Sequence, residues 1–131
     1  MSYEHEPQVS ILMKALNEEQ HIRDCLISAV REATAVKGEV ILVDSVSTDR
    51  TVEIAMKFPV RVVQFLDPLD RSCAAAVQLG YQYARGHYVY VLDGDMILQP
   101  GFLRHALNLL CRDAKLAGVA GRLIDSQVHN A

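Results

Sequence analysis

Tyr88-Val89-Tyr90-Val91-Leu92-Asp93-Gly94-Asp95 decides the fold. The apolar run Tyr88 to Leu92 is too short for a helix and carries β-branched and aromatic residues, so it reads as a strand. It is continuous rather than alternating, which predicts burial on both faces of a parallel α/β sheet. Strands of such sheets deliver their polar residues at the carboxyl end, the edge where ligands bind. Here that end carries Asp93 and Asp95, with Gly94 between them to let the backbone bend. Carboxylates two residues apart on an extended chain project to the same side, so both can reach one hard divalent cation, Mg2+ or Mn2+.

The pattern repeats upstream. Val40-Ile41-Leu42-Val43 is a second buried strand ending at Asp44, and Gln8 to Ala15, after Pro7, is the first. Val60 to Phe65 follows Pro59 as a third. Helical spacing fills the intervals. Ile22, Leu26, Ala29, Val30 and Ala33 form one stripe, with Asn17 placed to cap it, Gln20 at the reciprocal position and Gly38 at its end. Ser47-Thr48-Asp49 offers caps to a helix that buries Val52, Ala55 and Met56, and Asp67-Pro68-Leu69-Asp70 is a turn. Ser72 to Arg85 turns Ala76, Leu79 and Tyr83 inward and is terminated by Gly86. Pro100 opens the helix of Leu103, Ala106, Leu107 and Leu110, and Leu116 to Leu123 is expected as a fifth strand. This alternation defines an α/β class: a doubly wound, mostly parallel sheet with helices on both faces, one domain over residues 1–131. The ends of its first, second and fourth strands converge on one crevice, which gathers Asn17 and Glu18, Asp44, and Asp93 with Asp95.

Composition removes several function classes. Half of the 131 residues are apolar, enough for one core. A net charge of −3, no tryptophan and no dense Lys/Arg block exclude a nucleic-acid surface. No apolar stretch approaches the roughly 20 residues that span a bilayer, and the N-terminus lacks a secretory pattern, so a soluble, cytoplasmic chain is expected. Cys25, Cys73 and Cys111 each fall in an expected helix, far from any Cys-x-x-Cys pair, and read as buried reduced thiols. The histidines, His5 and His129 included, show no metal-ligand spacing. Neither Gly-x-Gly-x-x-Gly nor Gly-Lys-Ser/Thr is present, which disfavours dinucleotide enzymes and P-loop nucleotidases. An Asp-x-Asp-x-Thr phosphohydrolase fits poorly, because Ile97 holds the threonine place and the motif follows the fourth strand. A cation at Asp93 and Asp95 remains as the means of offsetting diphosphate charge.

Three ordered segments carry a resemblance: Val9-Ser10-Ile11-Leu12 through Ala15-Leu16-Asn17-Glu18-Glu19, Val43-Asp44-Ser45-Val46-Ser47-Thr48-Asp49-Arg50-Thr51, and Val91-Leu92-Asp93-Gly94-Asp95. Together they resemble family 2 glycosyltransferases of the GT-A fold, over roughly Val9 to Arg122. The resemblance implies a nucleoside-diphosphate sugar donor of the UDP or GDP type, an acceptor hydroxyl, and transfer with inversion. It assigns Ala15, Leu16 and Glu18 to the base and ribose, Asp44 to the base, Asp93 to the ribose or metal, and Asp95 to Mg2+ or Mn2+. Arg71 lies near the place of a basic residue that approaches the diphosphate. The bland readings are helix capping for Glu18 and Asp44 and a plain surface charge for Arg71. The family's catalytic base lies beyond the fifth strand, and no residue here is assigned that role; Asp125 stands in no matching motif. Residues 1–131 are thus expected to be the donor-binding half without the acceptor half. Lys14 stands where proline is usual, Leu16 where an aromatic is frequent, and Val77-Gln78 where Arg-Asn is familiar. Ser45-Val46 replaces Asp-Gly, and a β-branched Val46 is expected to resist a left-handed backbone and reshape that loop. A non-catalytic nucleotide-binding module of the same fold is the alternative function.

Overall fold

The four apolar runs become strands β1 (Val9–Ala15), β2 (Glu39–Asp44), β3 (Arg61–Gln64) and β4 (Tyr88–Asp93) in the computed structural model, which describes residues 6–125. All pairings are parallel and the order is β3-β2-β1-β4. Helices α1 (Ile22–Ala35), α2 (Thr51–Ala55), α3 (Cys73–Tyr83) and α4 (Phe102–Arg112) connect or follow them, with a 3-10 turn at Pro68–Asp70. His5 and His129 lie outside the described residues.

Strand alternation splits the core into two layers. Ile11, Met13, Ala15 and Leu42 pack with Ile22, Leu26 and Ala29 of α1, Ala55 of α2 and Leu103 and Leu107 of α4. Leu12, Ile41 and Val43 face the other way and meet Ala76 of α3. Helices therefore cover both faces, as the βα alternation requires. The chain runs outward from β1 through β2 to β3, and α3 then carries it back across the sheet to β4 on the far side of β1. The order reverses at β1, so the crevice of a doubly wound sheet falls at the carboxyl ends of β1 and its neighbours.

Several expectations are corrected. β4 is not buried on both faces: it is the sheet's edge, α3 covers β1 and β2 instead, and Val89 and Val91 are exposed. Residues 116–123 form no strand and are largely exposed, so the edge of β4 is not paired by the expected fifth strand. Met56 and Tyr83 are exposed; Thr51 and Ala55 supply the buried positions of α2, and Ala76 and Gly80 those of α3. Asn17 does not cap α1, which begins at Ile22 after a turn through Glu18 to His21. Pro100 precedes α4 rather than opening it. Of the cysteines, only Cys25 is buried; burial pushes its thiol up to about 12, whereas Cys73 and Cys111 are exposed, and all three are free.

Gly86 proves to be a packing residue instead of a helix stop, since α3 ends three residues earlier at Tyr83. A Cβ there would sit 2.4 Å from the Ser10 backbone nitrogen. This close approach builds a strut at the amino edge of the sheet: Gly86 N donates to Ser10 Oγ (2.8 Å), which donates to Glu39 Oε1 (2.7 Å), and Arg85 also donates to the Glu39 carboxylate. Burial works to raise the Glu39 pKa, but the hydrogen bonds from Ser10 and Arg85 outweigh it and the net shift is downward from 4.5. A depressed carboxylate stabilises the fold above its unfolded pKa, and that contribution is lost as pH falls through the folded value. The urea midpoint of the wild type is expected to drop more steeply than that of Glu39→Gln between about pH 5 and about pH 3. Parallel curves for the two proteins would contradict this role.

Candidate functional site

Register places the acidic residues at one edge. Ala15 pairs with Asp44 and Lys14 with Asp93, so the carboxyl ends of β1, β2 and β4 lie side by side. Gly94 N donates to Lys14 O (2.8 Å), and a Cβ on Gly94 would stand 3.1 Å from that same oxygen. The glycine of the Asp-Gly-Asp turn is thus needed for close approach to β1.

The loops after β1 and β2 are laced together. Ser45 N donates to Ala15 O, Asn17 N to Ser47 Oγ, Glu18 N to Thr51 Oγ1 and Glu19 N to Asp49 Oδ2; in return Thr48 N donates to Asn17 Oδ1 and Arg50 N to Glu19 Oε2. Asn17, the residue expected to cap α1, spends its side chain here with φ 53°, a left-handed conformation asparagine tolerates. Arg71 Nη1 donates to Ser45 O (3.1 Å), which brings the 3-10 turn to the same rim.

Val46 has φ 60°. The loop was expected to be reshaped by this β-branched residue, yet it keeps the left-handed turn. Asp44 forces it: its carboxylate accepts from Ser47 N (3.0 Å), Ser47 Oγ and Gln64 Nε2 (3.0 Å), tying Ser47 back to Asp44 across Val46, while Ser45 N is held on Ala15 O. Such strain is held by surrounding contacts and costs roughly 1–3 kcal/mol. Val46→Gly is accordingly expected to be more stable than Val46→Ala by about 1 kcal/mol in urea unfolding, reversing the usual order of the two residues. Equal stabilities would show that the turn is not strained.

The expected site residues differ in access. Asp44 is fully buried and its oxygens are occupied as described, so it organises the loop. Leu16, Arg71 and Asp95 are exposed, Glu18 and Asp93 half-buried, and Ala15 buried beneath them. Burial first, and then the Asp95 carboxylate, raises the Glu18 pKa; Asp49 and Asp93 add to the rise and His21 opposes it. Glu18, Asp93 and Asp95 therefore share one field of negative charge. Sequence reading missed the partner of Lys14, whose Nζ lies 2.9 Å from Asp93 Oδ1. The strand register could have shown it, since Lys14 and Asp93 are opposite neighbours.

Asp95 makes no hydrogen bond or ion pair among the described residues, and Asp93 uses one oxygen on Lys14. No group of three or more His, Cys, Asp or Glu among the described residues could hold an ion alone. This donor set fits Mg2+ or Mn2+ of the kind bound by one or two carboxylates together with phosphate oxygens, and not a cage made of protein. Cavities of about 370 and 670 Å3, the first lined by Glu39, Arg61 and Arg85 and the second by Glu6, Lys37 and Arg104, lie away from this rim. Neither contains the residues that carry the chemistry.

An all-parallel sheet wound in this order, with acidic loops at its carboxyl edge, is the fold of the GT-A sugar transferases. Staphylococcus aureus TarS 1–349, solved in complex with UDP-GlcNAc, superimposes with a TM-score of 0.71 at 22% identity over 91% of this chain and 37% of that one. Glucosyl-3-phosphoglycerate synthase from Mycobacterium tuberculosis, solved with Mn2+, UDP and glucosyl-3-phosphoglycerate, gives 0.66 at 30% identity over 78% and 39%. The sequence profile of glycosyl transferase family 2 matches residues 10–130, and the chain belongs to that family. An uncharacterized glycosyltransferase of Haemophilus influenzae is 30% identical over 110 residues, 82% of this chain. The chain spans 44% of that relative's length. No helix among the described residues is long and apolar enough to cross a membrane.

Proposed function

We propose that residues 1–131 are the donor-binding part of a glycosyltransferase that moves a sugar from a UDP- or GDP-type nucleotide sugar to an acceptor hydroxyl, with inversion, using Mg2+ or Mn2+. The observation that carries this reading is the free, exposed Asp95 carboxylate beside Asp93 and Glu18 at the switch point of the sheet. Ala15, Leu16 and Glu18 receive the base and ribose. Asp44 holds the adjoining loop, and swinging the exposed Gln64 side chain aside opens its Oδ2 to the base. Arg71, already anchored on Ser45 O, faces the diphosphate with a fixed positive charge. Asp95 and Asp93 would hold the cation, which supplies charge neutralisation of the leaving diphosphate.

Two further features support the donor-part reading. β4 is an open edge with Val89 and Val91 uncovered, which is where an acceptor half would attach. The Mycobacterium synthase is a longer protein of which this chain matches 39%, and its solved complex contains both UDP and Mn2+. The free thiols fit a reducing compartment, and we place the chain in the cytoplasm.

A second reading, a non-catalytic binding module, is favoured by the Lys14–Asp93 ion pair, which engages a carboxylate that the transferase reading gives to the ligand. Calorimetric titration of UDP- and GDP-sugars with and without Mn2+ separates the two. Metal-dependent binding of one nucleotide class is expected. Binding that ignores Mn2+ favours the module, and no binding of either class overturns both.

A further inference from the structure

The position before Ala15 on β1 holds a lysine whose placement is set by backbone register. Lys14 and Asp93 are direct partners across the parallel β1–β4 ladder, so their side chains leave the same face of the sheet. The Lys14 side chain is 19% exposed and the Asp93 side chain 47%, with Nζ 2.9 Å from Oδ1. A side chain covered over most of its surface and paired at its tip holds its charge in place more firmly than a surface lysine does. Among the described residues neither Asp95 nor Glu18 forms an ion pair; His21 acts against the charge on Glu18, and Arg71 is committed to Ser45 O.

We propose, resting on the donor-site reading above, that Lys14 is a resident counter-ion which competes with the divalent cation for Asp93, so that the chain takes up metal weakly until a diphosphate arrives with it. The ammonium and a divalent ion are both drawn to the Asp93 carboxylate and repel each other. Metal bound at Asp95 therefore gains little from Asp93 while Lys14 is in place. A diphosphate brings oxygen ligands and negative charge that tolerate both cations together. Lys14 is a positioning residue in this scheme: it acts through Asp93, fixing one carboxylate oxygen and its share of the local charge.

The test uses Mn2+ alone, read by the electron paramagnetic resonance signal of the free ion as it is titrated with the full chain, so it needs no nucleotide and no turnover. Lys14→Met and Lys14→Gln are each expected to bind Mn2+ about tenfold more tightly than wild type, because a repelling charge is removed and Asp93 is released. Lys14→Arg keeps the ion pair and is expected to stay within about twofold of wild type. Adding Asp93→Asn to Lys14→Met is expected to abolish the gain, a coupling that a general change in net charge would not produce. Unchanged Mn2+ affinity in both neutral variants, or a gain that persists without Asp93, would overturn the proposal. Absence of nucleotide-sugar binding, by contrast, overturns the transferase reading and leaves these Mn2+ titrations interpretable.

Discussion

Asp95→Ala is expected to weaken Mn2+-dependent binding of the nucleotide sugar by at least about a hundredfold, roughly 2.7 kcal/mol, while leaving the fold intact. The expectation rests on what Asp95 does not do. It is exposed and has no hydrogen bond or ion pair among the described residues, so its removal strands no partner. Stability should stay within about 0.5 kcal/mol of wild type, as for most surface changes. The internal consequences are electrostatic: Asp95 helps raise the pKa values of Glu18 and Cys25, and both effects should shrink in the variant. Glu6→Ala serves as the charge control, because Glu6 is exposed and precedes β1, at the amino edge of the sheet. Calorimetry with and without Mn2+ reads the result. If Asp95→Ala keeps the metal increment within twofold, the Asp-Gly-Asp turn does not hold the ion and the donor site lies elsewhere.

The sequence carried the scaffold of this site because strand ends in a parallel sheet are fixed by patterning alone. Val40 to Val43 and Tyr88 to Leu92 are short apolar runs, and each delivers its terminal aspartate to the same edge once the connections between strands are helical. Edge position was not legible in the same way. Tyr88 to Leu92 looks like a central strand, and only the order β3-β2-β1-β4 reveals that Val89 and Val91 have no cover. Loop conformation was misjudged where local propensity met a tertiary clamp. Val46 disfavours φ 60°, but hydrogen bonds from Ser47 and Gln64 onto a buried Asp44 override it. Asp49 accepts from Thr51 N at the start of α2, as local rules for helix ends expect, whereas Asn17, Ser47 and Thr48 have other partners. Their side chains and amides join two loops about thirty residues apart, a link that local rules for helix ends do not contain.

Glu32 is the buried polar residue whose loss should most damage α4, and the signal for it is present in the sequence. Spacing from Cys25 through Ser28 and Ala29 to Ala33 puts Glu32 on the buried stripe of α1, and it is 3% exposed. Helix α4 explains why an acid is tolerated there. Its N-cap is Gly101 at φ 83°, with no side chain to satisfy the first amides. Glu32 does so from another helix, accepting from Gly101 N (3.3 Å) through Oε2 and from Leu103 N (3.2 Å) through Oε1. A carboxylate at a helix N-terminus is also favoured by the backbone dipole. Neighbouring positions on α1 hold the segment that leads there from Asp95: Leu98 N donates to Ser28 Oγ (3.0 Å), and Arg31 Nη2 donates to Leu98 O (2.7 Å). Glu32→Ala leaves two backbone N–H groups without acceptors, one of them buried, and is expected to cost about 3 kcal/mol, with a fall in Tm of roughly 10 °C. Glu32→Gln keeps one acceptor oxygen but turns an NH2 toward a donor, so about half of that loss should remain. Glu53→Ala, which breaks the exposed Arg50–Glu53 pair, should leave the urea midpoint unmoved. Equal behaviour of the Glu32 and Glu53 variants would mean that α4 finds another cap, and that the path from Asp95 to α4 is not fixed by α1.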